Sequence, residues 1–151
     1  MRGRLCQGRG AEGSLARRMK LDHVNIATHD AEATAALFSK LFGLPVVKRV
    51  TVADQGVKVM KLDTGNSIIE LTEPTGPDTP VGRFLAKNRP GLHHLCFAVK
   101  DIRGEVARLK SAGVEFVNEE PRIGAAGLPI VFLNPKSCGG VLVELVEKKD
   151  A

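Results

Sequence analysis

The chain has 151 residues, with 22 basic and 17 acidic side chains and a formal net charge of +5. Hydrophobic residues make up 43% of it and charged residues 26%, as in ordinary globular domains, and no apolar run reaches the roughly 20 residues of a membrane helix. Residues 1–20 hold six basic side chains and one acidic one, which leaves 16 of each sign in residues 21–151. This balance argues against a nucleic-acid-binding domain. The three cysteines lack metal-type spacing and argue against a disulfide framework.

Residues 1–19 are rich in glycine and arginine and show no apolar periodicity, so we expect a disordered basic extension. The arginines of residues 1–18 are also compatible with an organellar targeting peptide. The alternative is an extension without function ahead of Met19. We therefore expect one domain over residues 20–148 of a cytoplasmic protein, with the mitochondrial matrix as the alternative location.

The first half of the domain, about residues 20–75, has the pattern of a β-α-β-β-β unit. LDHVNIAT alternates between polar and apolar residues as a strand does. A helix follows, with Asp30 as its N-cap, Ala33, Leu37 and Leu41 on one face and Gly43 at its end. Three strand-like runs come next, at about 44–51, 56–63 and 66–73.

The second half, about residues 91–148, repeats this order after a linker helix over about residues 80–90. HHLCFAV is predicted to be a strand, and Asp101 caps a helix with a stripe of Ile102, Val106 and Leu109. The strands that follow are expected at about 114–118, 128–133 and 140–147. Neither half can bury both sides of its sheet alone, so the two should combine into one structure.

Alignment of the two halves pairs His23 with His94 and Glu70 with Glu144. Strand alternation places all four on one side of the sheet, because their apolar neighbours must face the helices. Two half-sheets facing each other would bring together two imidazoles and two carboxylates, which suit cobalt, nickel, zinc or manganese. Such a ligand set leaves positions open for substrate or water. A single histidine in a strand is usually structural, but the recurrence of the pair in both halves favours a metal site.

Three other residues near this site are not expected to act in it. His29 lies at a strand–helix junction, and His93 has the opposite parity to His94, so neither is predicted to be a ligand. Cys96 shares the face of His94 and is predicted to line the pocket because it is small. No histidine–acid arrangement supports it as a nucleophile.

These features resemble the vicinal oxygen chelate superfamily and, within it, the methylmalonyl-CoA epimerases. The resemblance covers about residues 20–147 through DHVNIAT, FSKLFGLPV, DQGVKV, IIELTEP, PVGRFLAKNRPGLHHLCFAV and EEPRIGAAGLPIVFLNPKSCGGVLVEL. The His/Glu/His/Glu set also resembles that of glyoxalase I, whereas RFLAKN…GLHH and FLNPKSCGGVLVEL are more specific. The fold implied is α+β, with two tandem β-α-β-β-β modules forming one curved mixed sheet around a metal-binding cavity.

The resemblance implies racemisation at C2 of methylmalonyl-CoA, in propionyl-CoA metabolism, by 1,1-proton transfer through a metal-stabilised enolate. It implies a homodimer with one divalent ion per subunit, cobalt first, with nickel, manganese or zinc as alternatives. The ion's ligands would be His23, Glu70, His94 and Glu144. Proton transfer on two faces of C2 requires two acid/base groups.

Under this resemblance Glu144 is the first candidate for these two groups. Val59 stands where some family members carry a glutamate, so Glu70 or a metal-bound water is the candidate for the second. Lys136 and Ser137, on a glycine-rich loop, are candidates for contact with the CoA moiety, and Arg122 is similar. The alternatives are a glyoxalase I-like lyase, another metal-dependent enzyme of the superfamily, or a ligand-binding member without catalysis.

Overall fold

The computed structural model describes residues 18–151, so the disorder and targeting role predicted for the basic extension fall outside the described residues, apart from its last two positions. Eight strands, three α-helices and two 3-10 turns form this part of the chain. In chain order they are β1 (Lys20–Ala27), α1 (Ala31–Phe42), β2 (Val46–Val52), a 3-10 turn (Ala53–Gln55), β3 (Val57–Asp63), β4 (Ile68–Pro74), α2 (Pro80–Lys87), β5 (Gly91–Val99), α3 (Ile102–Ser111), β6 (Arg122–Ile123), β7 (Pro129–Leu133), a 3-10 turn (Pro135–Ser137) and β8 (Val143–Glu147).

The strands form one mixed sheet in the order β2-β3-β4-β1-β5-β8-β7-β6. Within each module the first strand is parallel to the last, as β1 is to β4 and β5 is to β8. The two modules join through the antiparallel pair β1–β5 at the centre of the sheet. The predicted architecture of two tandem β-α-β-β-β modules in one curved sheet is therefore confirmed, and the strands that bear the four polar residues are the four central ones.

The prediction of a strand at 114–118 was wrong. Only Phe116 makes a bridge there, to Leu133, and the strand of this region is β6, further along the chain. The bridge consists of two backbone hydrogen bonds, from the Val117 N–H to the Phe132 carbonyl and from the Asn134 N–H to the Glu115 carbonyl. The Glu115 N–H donates to Ser137 Oγ instead of to a neighbouring strand. Strand β8 begins at Val143, later than predicted, after Gly139 and Gly140 adopt positive φ angles.

The helices begin in the same way in both modules. Asp30 and Asp101 accept hydrogen bonds from the backbone N–H three residues later, at 2.9 and 3.0 Å, as predicted for N-caps. Glu73 and Glu147 accept a bond from the first N–H of the same two helices, at 3.0 and 2.9 Å. Each last strand of a module is thereby tied to the N-terminus of its helix, where negative charge is stabilised.

Helix α1 packs on the sheet through a different face from the predicted one. Ala31 and Ala35 are buried, whereas Leu37 and Leu41 are 50% and 58% exposed. The sheet beneath α1 carries the large side chains of Met60, Leu62 and Leu71. The helix therefore packs against it through its small alanine side chains. In α3 the predicted stripe is confirmed, since Ile102 and Val106 are buried against β7 and β8.

Helix α2 covers the other side of the sheet in the first module, where its Val81 and Leu85 pack with Val57 and Val59 of β3. Gly56 precedes β3 with φ of +65°, and a Cβ there would lie 2.3 Å from the methyl carbon of Thr79, the N-cap of α2. None of the helices in residues 18–151 has the length and apolar character that a membrane span requires.

Candidate metal centre and active site

The four predicted ligands lie on the side of the sheet that faces away from α1 and α3. His23, Glu70, His94 and Glu144 come from β1, β4, β5 and β8 respectively, and each is at most 8% exposed. Strand alternation produces this arrangement, because the apolar residues that follow each one, such as Val24 and Leu95, belong to the opposite face. Four adjacent central strands therefore present two imidazoles and two carboxylates to one cavity.

Three of the four side chains converge closely. His94 Nε2 lies 2.8 Å and His23 Nε2 3.5 Å from the same oxygen, Oε2 of Glu144. The ligand atoms of these three residues are all within 4.8 Å of one another. Glu70 stands at the edge of this group, with its Oε1 3.7 Å from His23 Nε2.

The two converging nitrogens are not satisfied by well-formed hydrogen bonds. Both His23 Nε2 and His94 Nε2 are buried, and among the described residues neither has a hydrogen-bond partner of acceptable geometry, although both approach Glu144. A buried polar atom without a partner is costly. A divalent cation between the two nitrogens and Glu144 would satisfy both, and a set of nitrogen and oxygen donors suits cobalt, nickel, zinc or manganese. The residues present therefore fit a metal ion.

The electrostatics of the site also favour a positive charge. Burial would lower the pKa of His23, but the neighbouring side chains of Asp22, Cys96 and Glu144 and the charge of Glu70 outweigh it and raise the pKa to about 12. Burial would raise the pKa of Glu144, yet the two imidazoles lower it to about 2. Glu144 is thus ionised at neutral pH, and the site as a whole favours a positive charge.

A β-bulge precedes each site histidine. Leu21 and His23 of β1 pair with consecutive residues of β5, so Asp22 between them is an extra, unpaired residue. Its Oδ2 lies 2.8 Å from Nδ1 of His23. Bulges re-aim side chains in this way. Asp22 is also paired with Lys148. Burial would raise the pKa of Asp22, but the bonds with His23 and Lys148 lower it to about 2.

The second bulge changes the expectation for His93. The pairing of β5 passes from His94 to Leu92, and the extra residue His93 turns toward the cavity instead of the opposite face. Its Nδ1 lies 2.8 Å from His94 Nδ1, and its ring packs edge-on against Phe84. Burial and the neighbouring His94 lower the pKa of His93 to about 4. His93 therefore contacts His94 but lies outside the group of His23, His94 and Glu144 whose ligand atoms converge.

Glu70 is oriented by two residues that the sequence analysis did not identify. Asn25 Nδ2 donates to Glu70 Oε1 at 3.0 Å and to Thr72 Oγ1 at 2.7 Å. Lys61 Nζ lies 3.3 Å from Glu70 Oε2. Asn25 lies two residues after His23 on β1, and Lys61 lies two residues after Val59 on β3. This spacing puts each on the cavity side of its strand, and it is the signal by which they could have been found.

The cavity around this centre has a volume of about 640 Å³. Much of its wall is apolar, and Val59 is part of this wall at 3% exposure. Three exposed basic side chains also line the cavity: Arg83, Lys87 and Arg122. The arrangement suits an apolar or thioester group near the metal centre and an anionic portion nearer to solvent.

The structure does not bring Lys136 and Ser137 to the cavity. Both lie on the second 3-10 turn, where Ser137 Oγ accepts a hydrogen bond from the backbone of Glu115 at 2.9 Å. Cys96 is fully buried on β5, opposite His23 of the neighbouring strand, instead of lining the pocket. Its burial raises the pKa of the thiol to about 12, so the thiolate that a nucleophile needs is not formed at neutral pH.

Comparisons with known proteins agree with this fold. The model of the glyoxalase/bleomycin resistance protein/dioxygenase superfamily matches residues 22–132. The mitochondrial methylmalonyl-CoA epimerase of Homo sapiens is 43% identical over 127 residues, which is 83% of this chain and 72% of that protein. An ethylmalonyl-CoA/methylmalonyl-CoA epimerase of Cereibacter sphaeroides is 43% identical over 83% of this chain and 96% of its own length. A solved methylmalonyl-CoA epimerase in complex with methylmalonyl-CoA and NH4+ has a TM-score of 0.81 and 39% identity, and covers 86% of this chain and 94% of that one.

Proposed function

The chain belongs to the methylmalonyl-CoA epimerases of the glyoxalase/bleomycin resistance protein/dioxygenase superfamily, and from this we propose that it is a metal-dependent isomerase acting at C2 of methylmalonyl-CoA. One observation carries the proposal beyond family membership. Two buried imidazole nitrogens without well-formed hydrogen bonds meet an ionised glutamate inside a cavity of about 640 Å³. That combination provides both a cation site and room for an acyl thioester.

The metal would be held by His23, His94 and Glu144, with Glu70 beside them. A bound divalent ion supplies Lewis-acid stabilisation of the negative charge that develops on the thioester oxygen when the C2 proton leaves. We expect one ion per subunit, cobalt first, with nickel, manganese or zinc as alternatives. Asp22 contacts Nδ1 of His23, and His93 contacts Nδ1 of His94. These contacts leave the Nε2 atom of each imidazole directed at the metal centre.

Glu144 and Glu70 are the two acid/base groups of the proposed reaction. Epimerisation needs a proton removed from one face of C2 and returned to the other. Glu144 is ionised at neutral pH because of its imidazole neighbours, as a proton acceptor must be. Glu70 comes from the other module and is oriented by Asn25 and Lys61. Val59 closes the apolar wall where some family members are expected to carry a glutamate, and its apolar side chain takes no part in proton transfer.

The CoA phosphates are proposed to contact Arg83, Lys87 and Arg122, because these exposed cations line the cavity. Lys136 and Ser137 were the candidates from sequence, and their assignment to CoA stays a prediction.

A homodimer, a place in propionyl-CoA metabolism and a cytoplasmic location are also proposals from the family resemblance. The alternative location, the mitochondrial matrix, is supported by the name of the human relative.

Exchange of the C2 hydrogen tests the function directly. Cobalt-loaded protein should incorporate solvent deuterium at C2 of methylmalonyl-CoA, and should not consume the hemithioacetal of methylglyoxal and glutathione. His94→Ala should abolish the exchange, whereas the exposed His29→Ala should retain it. Absence of exchange in the loaded wild-type protein would refute the proposal, and turnover of the hemithioacetal would favour a glyoxalase I-like lyase.

A further inference from the structure

Lys61 is a basic residue on the inner wall of the cavity. On the cavity side of β3 it follows Val57 and Val59, which are both buried and apolar. The Lys61 side chain is 15% exposed, whereas that of Lys58, on the other face of the same strand, is 57% exposed. Burying a lysine is unfavourable unless its charge is used or neutralised, so its position needs an explanation.

The contacts of Lys61 leave part of its ammonium available. Its ion partner in the described structure is Glu70, through Oε2 at 3.3 Å, while Oε1 of the same carboxylate faces His23 and Asn25. The ammonium therefore lies beside the metal centre with one carboxylate between them. An ammonium group has three N–H donors, and one oxygen of Glu70 does not occupy all of them.

The other cations at the cavity are placed differently. Lys148 is engaged by Asp22, and Arg83, Lys87 and Arg122 are exposed. The inner part of the cavity also contains the carboxylates of Asp22, Glu70 and Glu144, which repel an anionic acyl group. A second positive charge next to the metal centre would offset this repulsion for a substrate that itself carries a carboxylate.

We propose that Lys61 binds the free carboxylate of the acyl group, and thereby makes the site specific for malonyl-type thioesters over uncharged acyl thioesters. This inference rests on the proposed function, since it assumes that a methylmalonyl group occupies the cavity. The ammonium donates charge-assisted hydrogen bonds to the substrate carboxylate and keeps Glu70 as its protein partner. Lys61 is in this role a binding and specificity residue and transfers no proton.

A purely structural role for Lys61, the neutralisation of Glu70, predicts a different outcome from carboxylate recognition. Loss of a structural lysine would weaken metal binding or the binding of every thioester alike. Loss of a carboxylate-binding lysine would weaken only ligands with the carboxylate. Malonyl-CoA and acetyl-CoA form a suitable pair, because they differ only by that group.

The test compares equilibrium affinities for malonyl-CoA and acetyl-CoA, measured by titration calorimetry on metal-loaded protein. Lys61→Met and Lys61→Gln should each reduce the preference for malonyl-CoA by roughly tenfold to hundredfold, with acetyl-CoA affinity and metal affinity unchanged. Lys61→Arg should retain most of the preference, and the matched control Lys58→Met should behave as the wild type does.

Three results would overturn the inference: no preference for malonyl-CoA in the wild type, an unchanged preference in both neutral variants, or equal weakening for both ligands. Loss of metal from both neutral variants would likewise identify Lys61 as a support for Glu70 alone. Failure of the proposed function is a separate result, because it appears as absence of C2 exchange in the wild-type protein whatever the affinities of the variants.

Discussion

Asp22 and His23 are consecutive residues whose side chains meet on the same side of the sheet, with Oδ2 of Asp22 2.8 Å from Nδ1 of His23. In a regular strand they would face opposite ways. The bulge at Asp22 turns the carboxylate onto the imidazole, and the Nε2 atom is left facing Glu144 at 3.5 Å. His93 and His94 repeat this relationship in the second module.

Removal of the Asp22 carboxylate should weaken metal binding. We expect Asp22→Ala to lower metal affinity by roughly 10- to 100-fold, because the partner of a ligating histidine fixes its tautomer and orientation. Asp22→Asn should fall between this variant and the wild type. Competition with a chelating dye measures the affinity. The exposed Glu32→Gln, which loses only a surface pair with Arg49, is the control, and wild-type affinity in Asp22→Ala would contradict the role assigned to Asp22.

Glu144→Gln should reduce C2 exchange by at least roughly 100-fold. The variant keeps the shape of the side chain but removes both a charged ligand and the proposed proton acceptor, whose contribution is typically 10²- to 10⁴-fold. Circular dichroism should show a folded protein, and metal analysis should show reduced occupancy. Glu119→Gln, on the surface beside Lys110, should exchange at the wild-type rate. Undiminished exchange in Glu144→Gln would exclude Glu144 from the chemistry.

Mutations of basic residues should distinguish the phosphate contacts suggested by the sequence from those suggested by the structure. Arg83→Ala and Arg122→Ala should each raise the KM for methylmalonyl-CoA by roughly two- to fivefold, as expected for exposed ion pairs. The effect should diminish at high salt because exposed charges are screened. Lys136→Ala should leave KM unchanged. A rise in KM for Lys136→Ala alone would show that the CoA moiety follows the glycine-rich loop.

The core beneath α1 should be sensitive to truncation. Leu71 of β4 is fully buried, and Leu71→Ala should lower the free energy of unfolding by about 2–5 kcal/mol through lost burial and the cavity left behind. Leu41→Ala, at a position that is 58% exposed, should change it by less than about 0.5 kcal/mol. Urea denaturation measures both. Similar losses in the two variants would contradict the packing of α1 described above.

Some features of this protein follow from local patterns in the sequence. The β-α-β-β-β repeat is legible because helix stripes and strand alternation are set by the geometry of single elements. The helix caps at Asp30 and Asp101 were predictable for the same reason. Alternation also placed His23 and His94 on the side of the sheet opposite to α1 and α3, where the structure has them.

Other features depend on how two strands pair, and only the tertiary structure decided them. The bulges at Asp22 and His93 belong to the register between β1 and β5, so no pattern within one strand could reveal that each residue turns beside the following histidine. The contact of Lys61 with Glu70 likewise depends on the pairing of β3 with β4. The sequence by itself determined the repeat and the side of the sheet on which His23, Glu70, His94 and Glu144 lie. The tertiary structure determined which of them touch, because alternation is a property of one strand and contact is a property of two.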